Sequence, residues 1–272
     1  MPGFAWPLGH LRGPRPHHRR GTPEGAHVPG RTRHEHPASD GLDNDTLRFD
    51  TTAETAVASH VVFLCLPTPP DSDGAADLTA IEHTVTKVRN LLRPNTVLVT
   101  KSTVPVGTSN KISAWLGRED VAVVSNPEFL REGHAVYDFL HPARILIGAH
   151  DPAAAKRIAG LYDNVRAEVI LTDLATAELA KYAANCFLAT KLSYINTVAE
   201  LCEVLGADVT DLTYVLGADP RIGADFLRPG PGWGGPCLPK DTRALLSSLS
   251  TPGSTFLYWR RRSLATPTTT TG

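Results

Sequence analysis

The chain has 272 residues, 42% of them hydrophobic, and a formal net charge of -1. It can bury a large core, and its charge gives no global reason to bind nucleic acid or a membrane surface. The longest apolar run, residues 61–67, falls far short of the ~20 residues a spanning helix needs, and the N-terminus lacks the order of a signal peptide.

Residues 1–45 are crowded with Pro, Gly, Arg and His and show neither a period of 2 nor one of 3.6, so a disordered segment is expected. His17-His18 and His34-x-His36 allow a metal-binding reading, but no Cys or carboxylate cluster completes a site and no metal is expected. From Thr46 the texture changes. Val61-Val62-Phe63-Leu64-Cys65-Leu66 ends at Pro67 and predicts a buried strand; residues 80–92 predict an amphipathic helix with Ile81, Val85, Val88 and Leu92 on one face. Further strands are expected at 96–100, 121–124, 144–147 and 169–171, with a helix at 109–116. Continuous β-branched runs separated by helices predict a parallel sheet, covered on both faces, over residues 46–171.

Residues 172–206 carry apolar side chains at three- and four-residue steps and predict one helix of about 30 residues, two to three times the usual length. Gly206 suits its left-handed C-terminal cap. The apolar positions spread around more of the circumference than one core face requires, so this helix is expected to pack against its counterpart in a second chain. A short helix at 209–216 follows, and residues 247–272 read as a low-complexity, unstructured tail.

The densest chemistry lies in Gly232-Trp233-Gly234-Gly235-Pro236-Cys237-Leu238-Pro239-Lys240-Asp241. Glycines let backbone come close to a ligand and expose the cysteine, while Lys240 and Asp241 can set its ionisation, as an activated thiolate requires. Cys65, Cys186 and Cys202 lack such surroundings and read as small buried hydrophobes. The four cysteines have neither metal-ligand spacing nor the density of a disulfide framework, which favours a reducing, cytoplasmic setting.

Five segments in one order resemble the UDP-glucose and GDP-mannose dehydrogenases: Leu66-Pro67-Thr68-Pro69-Pro70, Lys101-Ser102-Thr103-Val104-Pro105-Val106-Gly107-Thr108, Ser125-Asn126-Pro127-Glu128-Phe129-Leu130-Arg131-Glu132-Gly133, Lys181-Tyr182-Ala183-Ala184-Asn185, and the Cys237 segment. The resemblance covers roughly residues 46–246. It implies a doubly wound, Rossmann-like α/β domain, incomplete here, over residues 46–171, followed by a helical dimerisation domain carrying the cysteine over 172–246. It also implies oxidation of a sugar's primary alcohol to a carboxylate with two NAD+, through a thiohemiacetal and a thioester on Cys237. UDP-glucose, yielding the uronate for polysaccharide synthesis, is the favoured sugar, and GDP-mannose the alternative. By the same resemblance Lys181 and Asn185, at i and i+4 on one helix face, stabilise the oxyanion, Asp241 and Thr103 position water, and Glu128 is the base. Substrate contacts would be Glu128, Phe129, Leu130, Arg131, Glu132, Lys181, Asn185, Arg228, Pro229, Gly230, Pro231, Gly232, Trp233 and Gly234, with Arg221 reaching in from the partner of a homodimer. Cofactor contacts would be Leu66, Pro67, Thr68, Pro69, Pro70, Ser102, Thr103, Val104, Glu132 and Lys240.

The family opens with a strand, a G-x-G-x-x-G turn seating the pyrophosphate and an acid for the ribose. No such arrangement precedes the first predicted strand, where Gly21-x-x-x-Gly25 sits among prolines and arginines. The family's last domain has no counterpart after Leu246. The pattern reads as truncation at both ends, which leaves two expectations of different class: a working dehydrogenase, or an inactive remnant whose surviving property is the dimerising helix. Without a pyrophosphate anchor the chain is expected not to turn over substrate detectably.

Overall fold

The computed structural model describes residues 41–53, 59–232, 235 and 237–248. The histidine-rich metal reading, the low-complexity tail, Trp233 and Gly234 therefore lie outside the described residues. The chain divides into two compact units, one of residues 1–68 and 78–179, the other of residues 69–77 and 180–272.

In the first unit β1 (Val61–Leu64), β2 (Val97–Thr100), β3 (Ala122–Ser125), β4 (Arg144–Ala149) and β5 (Glu168–Thr172) form one sheet in chain order. Helices α1 (Thr79–Val88), α2 (Thr108–Leu116), α3 (Ala135–Leu140) and α4 (Pro152–Ala159) connect them. Successive strand residues point to opposite faces, and both faces are covered. Leu64, Leu98 and Val123 join Ile81, Val85 and Val88 of α1 and Ile112 and Leu116 of α2 in one core. Val97, Val99, Val124, Ile145 and Ile147 join Ala154, Ala155 and Ile158 of α4 and Tyr162 in the other. Each large apolar side chain buried in this way stabilises the unit by about 1.5–3 kcal/mol.

The expectation of an all-parallel sheet needs one correction: β3 and β4 pair antiparallel, with Val124 opposite Ala149, although β1–β2, β2–β3 and β4–β5 are parallel. A parallel return needs a crossover long enough to run back along the strands. The segment between the two strands holds only the 6-residue α3, and β4 runs back beside β3. A second correction concerns β5. Its Val169, Ile170 and Leu171 were expected in a covered strand, yet they are 36–47% exposed, because β5 is an edge strand.

The long helix α5 (Leu174–Leu205) starts in the first unit and passes to the second between Leu179 and Ala180. Its first turn is pressed against β4 at Gly148, where an added Cβ would stand 2.5 Å from that of Ala177. It ends at Gly206, whose φ of 69° is the expected left-handed cap. In the second unit α6 (Val209–Ala218) follows with Asp208 as N-cap, and α7 (Cys237–Ser248) closes the described chain. Among the described residues no helix is long and apolar enough to cross a membrane.

Candidate active site

In the first unit the matching motifs fall at the carboxyl ends of β1, β2 and β3, the side of an open α/β sheet where ligands bind. Two hydroxyls stitch the first two loops together: Ser102 Oγ donates to the Leu66 carbonyl (2.7 Å) and Thr68 Oγ1 to that of Thr103 (2.9 Å). Thr68 and Val104 are buried, while Leu66, Ser102 and Thr103 are half-buried and Pro67 is exposed. The loop then enters α2 through Gly107, whose φ of 91° suits glycine. The N-terminus of α2 has no cap of its own. Glu178, 2% exposed on the first turns of α5, fills it from a distance, accepting from the Gly107 and Ser109 N–H groups at 2.6 and 2.7 Å.

After β3, Asn126 is buried at 1% exposure. Its amide oxygen accepts from Lys101 Nζ (3.1 Å) and Tyr162 OH (2.5 Å), and its Nδ2 donates to the Leu146 carbonyl (2.7 Å). Half-buried Glu128 follows, its carboxylate accepting from the Leu130 N–H at 2.5 Å. Arg144 lies over the Phe129 ring at 3.9 Å, a cation–π contact. Arg131 is committed to Asp138 through its backbone N–H, Nε and Nη2 at 2.8, 3.0 and 2.6 Å, and its guanidinium holds the Asp138 carboxyl below its usual range. Glu132 is exposed. Burial pushes the Cys65 thiol up to about 12, against the field of nearby Lys101, and the Tyr162 phenol likewise up to about 12.

In the second unit Lys181 and Asn185 face inward from α5, at 4% and 7% exposure, so Lys181 is not a solvated charge on an outer face. Asn185 Nδ2 donates to Asp241 Oδ2 at 2.5 Å, and Lys240 Nζ to Asp241 Oδ1 at 2.5 Å. Cys237 is exposed and opens α7, one turn before the buried Asp241. A helix N-terminus favours a thiolate, an influence that sequence reading assigned to Lys240 and Asp241 instead. Lys240 is engaged with Asp241. Beside this pair Cys186 Sγ lies 3.9 Å from Thr242 Oγ1, and burial raises the Cys186 thiol to about 11.

The segment between α6 and α7 is fastened along α5, with Lys191 Nζ donating to the Ile222 and Gly223 carbonyls and Asn196 Oδ1 accepting from Gly230 N–H at 2.9 Å. Arg228 and Gly230 are exposed, Pro229 and Gly232 half-buried and Pro231 exposed. Arg221 is exposed and bound to Asp219. Pro69 and Pro70 belong to this unit too. Their loop lies by Arg243, Leu246 and Ser247 around a cavity of about 480 Å³.

The loops after β1 and β2 are held in one arrangement by the Thr68 and Ser102 hydroxyls. A pyrophosphate seat is not found among the described residues: Glu178 fills the α2 N-terminus and Asp151 caps α4.

Residues 35–166 match the NAD binding domain of the UDP-glucose/GDP-mannose dehydrogenase family and residues 175–263 its central domain. The UDP-glucose 6-dehydrogenase YwqF of Bacillus subtilis is 43% identical over 206 residues, covering 74% of this chain and 47% of that protein. The UDP-glucose 6-dehydrogenase of Rhizobium meliloti is 43% identical over 79% of this chain and 52% of its own length. A UDP-glucose dehydrogenase from Pyrobaculum islandicum superposes with a TM-score of 0.79 at 38% identity, over 85% of this chain and 55% of that one. A GDP-mannose dehydrogenase from Pseudomonas aeruginosa does so with a TM-score of 0.68 at 29% identity, over 88% of this chain and 59% of that one. The chain thus spans about half the length of the curated relatives it matches.

Proposed function

We propose a function from one premise: the chain belongs to the UDP-glucose/GDP-mannose dehydrogenase family. The function is NAD-dependent oxidation of a nucleotide sugar's primary alcohol to the carboxylate, with UDP-glucose favoured because most of the similar relatives are named for it. The observation that carries it is the α5–α7 constellation, in which exposed Cys237 precedes by one turn an aspartate held by Asn185 and Lys240.

Leu66, Thr68, Ser102, Thr103 and Val104, with Pro67, Pro69, Pro70, Glu132 and Lys240, would hold NAD, which when bound supplies a hydride acceptor for each of two oxidations. Loss of a hydride and a proton turns the alcohol into an aldehyde. The Cys237 sulfur attacks the aldehyde carbon and its proton ends on the oxygen, giving a thiohemiacetal. Loss of a second hydride and proton leaves a thioester, which water cleaves to the carboxylate while the thiol is restored. Lys181 and Asn185 would stabilise the negative oxygen of each tetrahedral stage. Glu128 would take the proton of the attacking water, which Thr103 and Asp241 position. Phe129 to Glu132 and Arg228 to Gly234 would line the nucleotide sugar, Arg131 through its main chain because Asp138 occupies its guanidinium. Arg221 would reach it from the partner of a homodimer formed along α5. Exposed Phe187, Leu201 and Val204 on that helix support such a pairing, and the free cysteines suit a cytoplasmic setting.

A second reading is favoured by the filled helix N-termini: a chain that binds the sugar and keeps a reactive thiol without turnover. The test incubates the full chain with NAD+ and UDP-glucose and follows NADH absorbance, with Cys237→Ala as control. NADH that is lost in the variant establishes the first reading. Absence of NADH, with UDP-glucose slowing alkylation of Cys237, establishes the second. Neither signal sinks both.

A further inference from the structure

We propose that Lys101 is a positioning residue for Glu128, acting through a buried Lys101–Asn126–Tyr162 network; the inference rests on the reading of Glu128 as the base. Lys101 directly follows the fully buried β2 and carries its ammonium across to the end of β3. There it donates to two successive residues, Asn126 Oδ1 at 3.1 Å and the Pro127 carbonyl at 3.5 Å, with the Tyr162 ring centroid 5.9 Å away. The Pro127 carbonyl belongs to the peptide that joins Pro127 to Glu128. Lys101 therefore grips the main chain immediately before the base, and the Leu130 N–H bond to the Glu128 carboxylate holds the turn immediately after it.

Asn126 makes this grip specific. An amide oxygen has two lone pairs, and here both are taken, by an ammonium and a phenol; its NH2 group is turned to β4 through Leu146. The amide cannot flip without setting donor against donor. The network thus joins the ends of β2 and β3, the middle of β4 and the turn after α4, the strands between which the antiparallel reversal occurs. Tyr162 stays a donor throughout, because burial pushes its phenol up to about 12. Lys101 and Glu128 both act on the Cys65 thiol, which places their charges around one half-buried sulfur. A partly buried polar network of this kind is costly when one member is removed, since the remaining groups lose partners that water cannot replace. The ammonium at 101 holds both the Asn126 amide and the main chain that leads into residues 127–130.

The experiment compares Lys101→Met, Lys101→Arg and Tyr162→Phe in the full chain by hydrogen exchange, followed by mass spectrometry with no substrate present. Lys101→Met should speed exchange in the 127–133 segment roughly tenfold, the loss of one charge-assisted bond, and leave 79–88 unchanged. Lys101→Arg, which keeps charge and donors, should recover most of the protection. If Lys101→Met loosens the whole first unit, Tyr162→Phe is decisive: local loosening of 127–133 supports the proposal and none overturns it. Unchanged exchange in 127–133 with Lys101→Met overturns it as well. Where the wild-type chain forms NADH, Lys101→Met should lower kcat while KM for the nucleotide sugar stays within twofold, and an equal kcat with raised KM refutes positioning of the base. Local loosening in a chain that forms no NADH sustains the network and rejects the assigned activity, so the two failures remain distinct.

Discussion

Replacing Glu178 with Ala should unfasten the N-terminus of α2, and the structure sets the size of the effect. The carboxylate is 2% exposed and accepts two backbone N–H bonds, from Gly107 and Ser109. Gly107 is half-buried and can turn to water, but Ser109 is 0% exposed and its N–H would be left without a partner. An orphaned buried donor costs about 1–3 kcal/mol, and loss of a negative charge at a helix N-terminus about 0.3–1 kcal/mol more. The expected local destabilisation is about 1.3–4 kcal/mol. At ~1.4 kcal/mol per factor of ten this raises the opening constant of α2 by about ten- to several-hundredfold. Glu178→Gln keeps the volume and one acceptor oxygen and should show about half the free-energy change. Hydrogen exchange of the 105–117 segment in the full chain reads this directly. A rise below about threefold in Glu178→Ala would show that the two short bonds carry no stability. A rise that is equally large in residues 237–248 would show a global effect rather than a lost cap.

The remaining expectations concern the thiols, an acid and the proposed dimer. Iodoacetamide at neutral pH should modify Cys237 ahead of Cys65, Cys186 and Cys202, because Cys237 is exposed while burial holds Cys65 at about 12 and Cys186 at about 11; peptide mapping reads the order, and early modification of Cys186 would contradict it. Arg131 lowers the Asp138 carboxyl in the folded state, so this pair's stabilisation is complete above the unfolded value of about 3.9 and is lost as pH falls through the lower folded value. Exchange in residues 128–134 should therefore loosen in acid, and the acid-induced change should disappear in Asp138→Asn. Val204→Asp, at 81% exposure on α5, should convert a dimer into monomer in sedimentation without loss of helix content; an unchanged sedimentation coefficient would exclude that face.

The strands and the long helix were legible because their signals are local. Val61-Val62-Phe63-Leu64 and Val97-Leu98-Val99-Thr100 are β-branched runs covered on both faces, and α5 shows apolar residues at helical steps up to a glycine with φ of 69°. The direction of β4 was not legible, because a buried strand has the same composition whether its neighbour runs parallel or antiparallel. Helix α4 announces itself by Asp151 followed by Pro152, a cap and a first-turn proline, and could have been read. The start of α7 at Cys237 is harder. Pro236 and Pro239 flank the cysteine and suggest an irregular loop, yet a proline in a helix's first turn sacrifices no intrahelical bond.

The candidate site divides in the same way. Cys237, with Lys240 and Asp241 beside it, stands in a segment whose residue types suggest chemistry, whereas Lys181 and Asn185 were named through the family resemblance. Asn126, Tyr162 and Glu178 could not be assigned their parts, because their meaning lies in partners 25 to 71 residues away. A helix N-terminus can seat a phosphate, but in the fold the Glu178 carboxylate of another helix already occupies that of α2. The same N–H groups cannot bind both, and the negative charge of Glu178 would repel a phosphate there. The loop carrying Ser102 and Thr103 is thus anchored at the start of α2 by the Glu178 carboxylate and, on its other side, by the Ser102–Leu66 and Thr68–Thr103 bonds.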